Sequence, residues 1–169
     1  MGADSETRRR VEQYDMDLKR DPWHRNRLLR DAIGRALYDG MVAAPSIYLM
    51  GEGAHMKVHF DAPQIEGEFL DRVVTLPIGE DGNTNFAVGA SLLGIKPVVD
   101  VITADFLYRT MDAVCNTAAK INFVSPGPPK TIVIRSEFLT GGPTTGQRPE
   151  ALFAHIPGLN VVLPSTPKD

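Results

Sequence analysis

Residues 72–102, RVVTLPIGEDGNTNFAVGASLLGIKPVVDVI, decide the fold. The stretch opens on an apolar run, "RVVTLPI", that breaks at Pro77 and Gly79. A segment rich in small residues follows at 83–94, and then a second apolar run, "KPVVDVI". Unbroken apolar runs suit strands buried on both faces, as in a parallel sheet. The small-residue segment between them reads as a helix packed closely against something. Where the first run turns toward the helix, the sequence sets two acids, Glu80 and Asp81.

The same alternation extends outward. Upstream, Leu28, Leu29, Ala32, Ile33, Ala36, Leu37 and Met41 recur at three- and four-residue steps, which predicts a helix over 25–44 that Pro45 stops. "SIYLMGEG" (46–53) reads as a short buried strand opening into a glycine turn. Residues 54–71 have no clear period and read as a loop. Downstream, 104–123 read as one long helix with Leu107, Met111, Val114, Ala118 and Ile121 along one face. "PPKTIVIRS" is a strand, "LTGGPTTGQRPE" a glycine-rich loop, "ALFAHI" a helical turn and "LNVVLPS" a last strand. Strands alternating with helices predict an α/β fold, a mainly parallel sheet covered by helices on both faces. Right-handed crossovers then bring the loops after the strands to one edge. Those loops carry Gly51-Glu52-Gly53, Gly79-Glu80-Asp81 and Ser136-Glu137. Ser165-Thr166-Pro167 has the pattern of a helix start, and the helix it announces does not follow in the sequence.

Composition narrows the function classes. The 169 residues suit one domain, residues 23–169, behind a polar arm over 1–22. The formal net charge of -3 argues against nucleic-acid binding, which needs a basic face. The basic run Arg8-Arg9-Arg10 lies among Glu6, Glu12, Asp15 and Asp17 and reads as a solvated or partner-docking arm. With one cysteine, Cys115, no disulfide forms within the chain. No run reaches the roughly 18 apolar residues of a membrane span, and the charged N-terminus has no signal-peptide pattern. The expectation is a soluble, cytoplasmic protein that binds neither nucleic acid nor membrane.

Several motifs are near misses. "GEGAHM" puts Met56 where a dinucleotide fingerprint needs its third glycine, and no GxxxxGK[ST] or GxSxG occurs. Glu52, His55 and His59 could be imagined as a metal set, and His55 and His59 are four apart, which suits a helix; but Gly53 and Pro63 argue for a loop and no HExxH occurs, so no metal site is expected. Cys115 follows the core-facing Val114 and reads as a packed structural thiol. Glu80 has two readings. It is either a first-turn acid that favours the helix dipole by about 0.3–1 kcal/mol, or a buried carboxyl at the sheet edge, placed to hydrogen-bond a basic ring nitrogen.

Residues 25–169 resemble a known family. Leu76-Pro77-Ile78-Gly79-Glu80, Ala87-Val88-Gly89-Ala90, the segment 94–99, Phe106, the helix segment 112–120 and "EALFAHIPGLNVVLPSTPKD" occur in the order seen in the beta subunit of the pyruvate and branched-chain 2-oxoacid dehydrogenases. Each piece is weak alone; the ordered set is specific. The resemblance implies a transketolase-like, three-layer thiamine diphosphate-binding fold, of which this chain is the pyrimidine-binding domain. It implies a site shared with an alpha-type partner subunit whose Gly-Asp-Gly motif holds Mg2+ and the diphosphate, in a hetero-oligomer with two copies of each chain. No Gly-Asp-Gly occurs here.

The resemblance also gives residue roles. Glu80 aligns with the glutamate that hydrogen-bonds N1' of the aminopyrimidine, the contact that favours proton removal from C2 of the thiazolium. Phe106 aligns with the aromatic that stacks on the pyrimidine, Ile78 and Ile102 with its surroundings, and Glu52 with a first-strand glutamate near the cofactor. The implied activity is cleavage of a 2-oxo acid or ketol donor and transfer of an acyl or two-carbon unit, to a lipoyl arm or a carrier protein, with activity only beside the partner.

Two departures stand out. Thr144-Thr145 occupy the place of the Gln-His that assists lipoyl acylation, and threonine does not titrate near neutral pH. His155 falls in the "HxPGL" segment and reads as structural. The family's carboxy-terminal domain is absent from these residues, as expected of a split subunit of the kind found in biosynthetic clusters, or of a fragment. The alternative to an enzyme is a non-catalytic subunit that keeps the fold and stabilises or regulates a complete enzyme.

Overall fold

The computed structural model describes residues 22–52, 54, 63–138 and 145–169. In chain order the regular elements are α1 (Pro22–Ala43), β1 (Ile47–Glu52), α2 (Pro63–Glu68), β2 (Val73–Leu76), α3 (Glu80–Leu92), β3 (Lys96–Thr103), α4 (Ile121–Val124), β4 (Val133–Glu137) and α5 (Glu150–Ala154). The four strands form one sheet in the order β2-β1-β3-β4, and every neighbouring pair is parallel.

The apolar runs explain the layers. Successive strand residues point to opposite faces. Leu49 packs with Met41 of α1 and Ile65 of α2. Its neighbour Met50 packs with Ala87 and Ala90 of α3 and with Val99 and Val101 of β3. The two faces of the sheet therefore carry separate cores under separate helices. That is the three-layer arrangement expected from the sequence.

The topology places a crevice. The chain leaves β1 for β2 on one side, then crosses back to β3 on the other. Between β1 and β3 the direction of winding reverses, and in open parallel sheets ligands bind beyond the carboxyl ends of the strands at that point. β1 ends at Glu52, β3 ends at Thr103, and the turn after β2 leads into Glu80. β1 and β3 approach closely here. A Cβ on Gly51, whose φ is +146°, would lie 2.5 Å from the carbonyl oxygen of Asp100.

Four expectations are corrected. Residues 54–71 are not simply a loop: they contain α2 and a 3-10 turn, Leu70–Arg72, while 55–62 lie outside the described residues. Six residues are too few to show a helical period, yet Ile65 is fully buried. The buried Arg72 explains the entry into β2. Its Nη1 donates to the carbonyls of Met41 (2.9 Å) and Ala44 (3.2 Å), closing the end of α1, and its guanidinium lies over the Phe69 ring.

The long helix over 104–123 is helical but changes pitch. It runs as a 3-10 segment (Ala104–Thr110), a π turn (Ala113–Thr117), a second 3-10 turn (Ala118–Lys120) and α4. The Ala118 N–H bonds the carbonyls of both Ala113 and Val114.

The last predicted strand does not form. Val162 and Leu163 are exposed, and the described residues offer no ladder for them. An apolar run becomes a strand only when a neighbour takes its backbone groups. Beyond it, the N–H groups of Ser165 and Thr166 both donate to Asp169 Oδ2 at 2.8 Å, which closes a turn instead of starting a helix. Pro22, read as the end of the arm, is the first residue of α1. The rest of the arm, with Arg8-Arg9-Arg10, lies outside the described residues, as do His55, His59 and Thr144.

Candidate functional site

Two buried glutamates stand where β1 and β2 end. Glu52 is the last residue of β1. Its Oε1 accepts the Gly79 N–H at 2.7 Å and lies 3.4 Å from Asn83 Nδ2. Asn83 also donates to the Pro77 carbonyl at 2.9 Å. Glu52 thus ties the end of the first strand to the turn that presents Glu80. Glu80 itself opens α3 and is 6% exposed. Its Oε2 pairs with Arg109 Nε at 3.0 Å, and its carbonyl accepts the Thr84 hydroxyl. Glu80 is thus a first-turn acid, and its carboxyl is also buried.

The end of β3 is strained. Ile102 has a φ of +62°, a left-handed conformation that a β-branched residue rarely adopts. Such a conformation costs about 1–3 kcal/mol and persists only when its surroundings impose it. Here Asp100 does so. Its Oδ1 accepts the Ile102 N–H at 3.1 Å, while its Oδ2 pairs with Arg135 Nη1 at 3.0 Å. The β3–β4 register shifts between Asp100 and Thr103, as at a bulge that re-aims a side chain. Next to it, the buried Thr103 Oγ1 has no hydrogen-bond partner among the described residues.

The third edge is apolar and open. Phe106 stands on the 3-10 segment that follows β3 and is 36% exposed. Ile78, two residues before Glu80, is 87% exposed. The 3-10 segment packs on α3, β3 and β4, and Arg109 on it reaches Glu80. The buried Asp105 accepts the N–H groups of Gly146 (3.1 Å) and Gln147 (3.2 Å). That anchor sets Thr145 beside the residue preceding Phe106. Thr145, at the position where a histidine is expected, immediately precedes this anchored pair.

The remaining candidates fall outside it. His155 is exposed after α5, with Nδ1 3.4 Å from the Ala151 carbonyl. Cys115 is half-buried in the π turn, and burial pushes its thiol up from the usual value. A thiol held protonated is a poor nucleophile, in line with a packing role.

Sequence reasoning singled out Glu52, Ile78, Glu80, Ile102 and Phe106, and these lie at or next to the carboxyl ends of β1, β2 and β3. It missed Asn83, Asp100, Asp105 and Arg109. The signal for Arg109 was present, a lone cation three residues after Phe106 in "DFLYRT". The group can hold a flat heterocycle. A buried carboxyl offers a hydrogen-bonding group and a partly exposed phenyl ring offers a stacking face.

Comparison with known proteins agrees with this fold. Residues 27–169 match the family described as transketolase, pyrimidine binding domain. The chain is 36% identical over 150 residues to the mitochondrial pyruvate dehydrogenase E1 component subunit beta-2 of Oryza sativa subsp. japonica, covering 83% of this chain and 39% of that one. It is 30% identical over 150 residues to the pyruvate dehydrogenase E1 component subunit beta of Rickettsia felis, covering 83% and 45%. It is 32% identical over 154 residues to the acetoin:2,6-dichlorophenolindophenol oxidoreductase subunit beta of Cupriavidus necator, covering 82% and 46%. The chain spans less than half the length of these curated relatives. With its parallel sheet, its buried first-turn glutamate and this match over 27–169, the chain belongs to the transketolase pyrimidine-binding domain family.

Proposed function

We propose that this chain is the pyrimidine-binding subunit of a thiamine diphosphate-dependent enzyme that cleaves a 2-oxo acid or ketol donor and passes the acyl or two-carbon unit to an acceptor. The observation that carries the reading is the Glu80 carboxyl, buried in the first turn of α3 at the switch point of a parallel sheet. A buried carboxyl needs a hydrogen-bonding partner, and an aminopyrimidine nitrogen is one of the right size and chemistry. The accessible Phe106 ring supports the same ligand, because a flat heterocycle needs a stacking face. When bound, thiamine diphosphate supplies the carbon nucleophile and the electron sink for cleavage next to a carbonyl.

The chain's own residues then have distinct tasks. Glu80 holds the ring nitrogen and the proton exchanged there. Phe106 stacks on the ring, and Ile78 and Ile102 border it. Glu52 acts through Gly79 and Asn83, fixing the turn that aims Glu80. The diphosphate and Mg2+ are assigned to an alpha-type partner subunit with a Gly-Asp-Gly motif, in a complex with two copies of each chain. The exposed Ile78 supports such a partner, since it leaves one side of the site open. The acceptor is a lipoyl arm or a carrier protein. Thr145 implies that the handover uses no imidazole at that position.

The test is Glu80→Gln in the assembled complex, followed by turnover and by exchange of the cofactor C2 proton. Exchange and turnover should be lost while the fold, followed by circular dichroism, is kept. Near-normal turnover in Glu80→Gln would remove the assigned role.

A further inference from the structure

Glu80 and Arg109 form an ion pair with unequal partners. The carboxylate side chain is 7% exposed, whereas the guanidinium side chain is 70% exposed. The acid is fixed: it sits in the first turn of α3, behind a turn that Glu52 and Asn83 hold. The arginine is a long arm lying across it from the surface. A buried carboxyl without a partner is costly, so some group must meet Glu80 before any ligand arrives. Among the described residues, Arg109 is the cation that does so.

Local geometry ties this arm to the stacking residue. Phe106 and Arg109 both belong to the 3-10 segment Ala104–Thr110. Residues three apart on a 3-10 helix eclipse one another. Phe106 and Arg109 therefore share one face, and Arg109 reaches from it to the carboxyl that the pyrimidine nitrogen needs. Arg109 Nε engages Oε2 of that carboxyl, so a ring nitrogen arriving at this oxygen has to displace the guanidinium.

We propose that Arg109 is a displaceable counter-charge that occupies Glu80 in the unliganded site and gives it up to the pyrimidine nitrogen when the cofactor binds. The inference rests on the functional reading above. It makes Arg109 a positioning residue for cofactor entry. The exchange takes up one proton from solvent, because a carboxylate and an unprotonated ring nitrogen both only accept; with that proton between them one partner of Glu80 replaces another, and the released arginine returns to water, where exposed ion pairs are worth little. Affinity is lowered by whatever the unliganded pair contributes, so weakening the pair should strengthen binding.

The experiment is calorimetric titration of thiamine diphosphate with Mg2+ into the full chain assembled with its diphosphate-binding partner. The variants are Arg109→Ala, Arg109→Lys, Glu80→Gln and Glu80→Gln with Arg109→Ala. Because Arg109→Ala leaves the buried Glu80 carboxyl without its cation, circular dichroism confirms the fold of each variant before titration. Arg109→Ala should bind about two- to ten-fold more tightly than the unaltered complex, the range expected for a partly exposed charged contact. Arg109→Lys, which keeps the charge, should return affinity toward the unaltered value. In the Glu80→Gln background the change at Arg109 should have no effect, because there is no carboxylate to guard. Unchanged or weaker binding in Arg109→Ala, or an equal gain in both backgrounds, would overturn the proposal while leaving the functional reading in place. Failure of the unaltered complex to bind the cofactor would remove both.

Discussion

Asp100→Ala should destabilise the domain and relax the end of β3 together. The Asp100 carboxylate is 4% exposed and the Arg135 side chain 13%, so the pair is largely desolvated. Removing one member of a buried pair costs about 3–5 kcal/mol, because the other charge stays behind. Losing the acceptor for the Ile102 N–H adds about 1 kcal/mol. Against this, Ile102 is released from its left-handed conformation, which returns about 1–3 kcal/mol. The net loss is about 3 kcal/mol, or a fall in Tm of about 6–12 °C for a domain of this size. Urea unfolding of Asp100→Ala, Arg135→Ala and the double variant measures it. The single changes should be non-additive, and Asp100→Asn, which keeps the acceptor for Ile102, should lie between Asp100→Ala and the unaltered chain. A loss under about 1 kcal/mol for Asp100→Ala, or simple additivity with Arg135→Ala, would refute the view that this carboxylate holds the strained turn.

Three further outcomes follow from the same geometry. Gly51→Ala places a methyl group against the Asp100 carbonyl at a φ of +146° and should cost more than about 3 kcal/mol, or block folding, as read by yield and urea midpoint. Glu52→Ala leaves the Gly79 N–H and the Asn83 amide without their carboxylate; it should cost about 1–3 kcal/mol and weaken cofactor binding by the complex, whereas Glu52→Gln should keep much of both. Cys115, its thiol pushed up mainly by burial, should react with iodoacetamide near pH 7 more slowly than an unstructured thiol, should speed up as pH rises, and should lose this protection in urea. Alkylation at the free-thiol rate in the folded chain would contradict the assigned environment.

Much of this site was legible because sheet edges are predictable from local pattern. The apolar runs ending at Glu52 and Pro77, and the run through Ile102, mark where parallel strands stop, and crossover handedness brings those ends together. Ordered motifs then singled out Glu80 among many acids as the candidate. The rest depends on contacts distant in sequence. The left-handed Ile102 is held by a local bond to Asp100, but that carboxylate is fixed by Arg135 and by the shift against β4, both far off in sequence. α2 is too short to show a period, and it forms where Ile65 meets the Leu49 core. The 104–123 helix looked regular because its apolar steps tolerate pitch changes; the π turn shows only in backbone bonds. "LNVVLPS" had a strand's composition without a ladder beside it among the described residues. Arg109 was visible but could not be paired with Glu80 before the 3-10 segment was placed against α3.

The central claim is that the pyrimidine half of a thiamine diphosphate site lies at Glu80 and Phe106. Calorimetric titration of thiamine diphosphate with Mg2+ into this chain alone, into the complex with its diphosphate-binding partner, and into the Phe106→Ala complex tests it most directly. The account predicts tight binding by the complex, little by the chain alone, and sharp weakening in Phe106→Ala. A properly assembled complex that binds no cofactor, or that binds it equally well without the Phe106 ring, would contradict it.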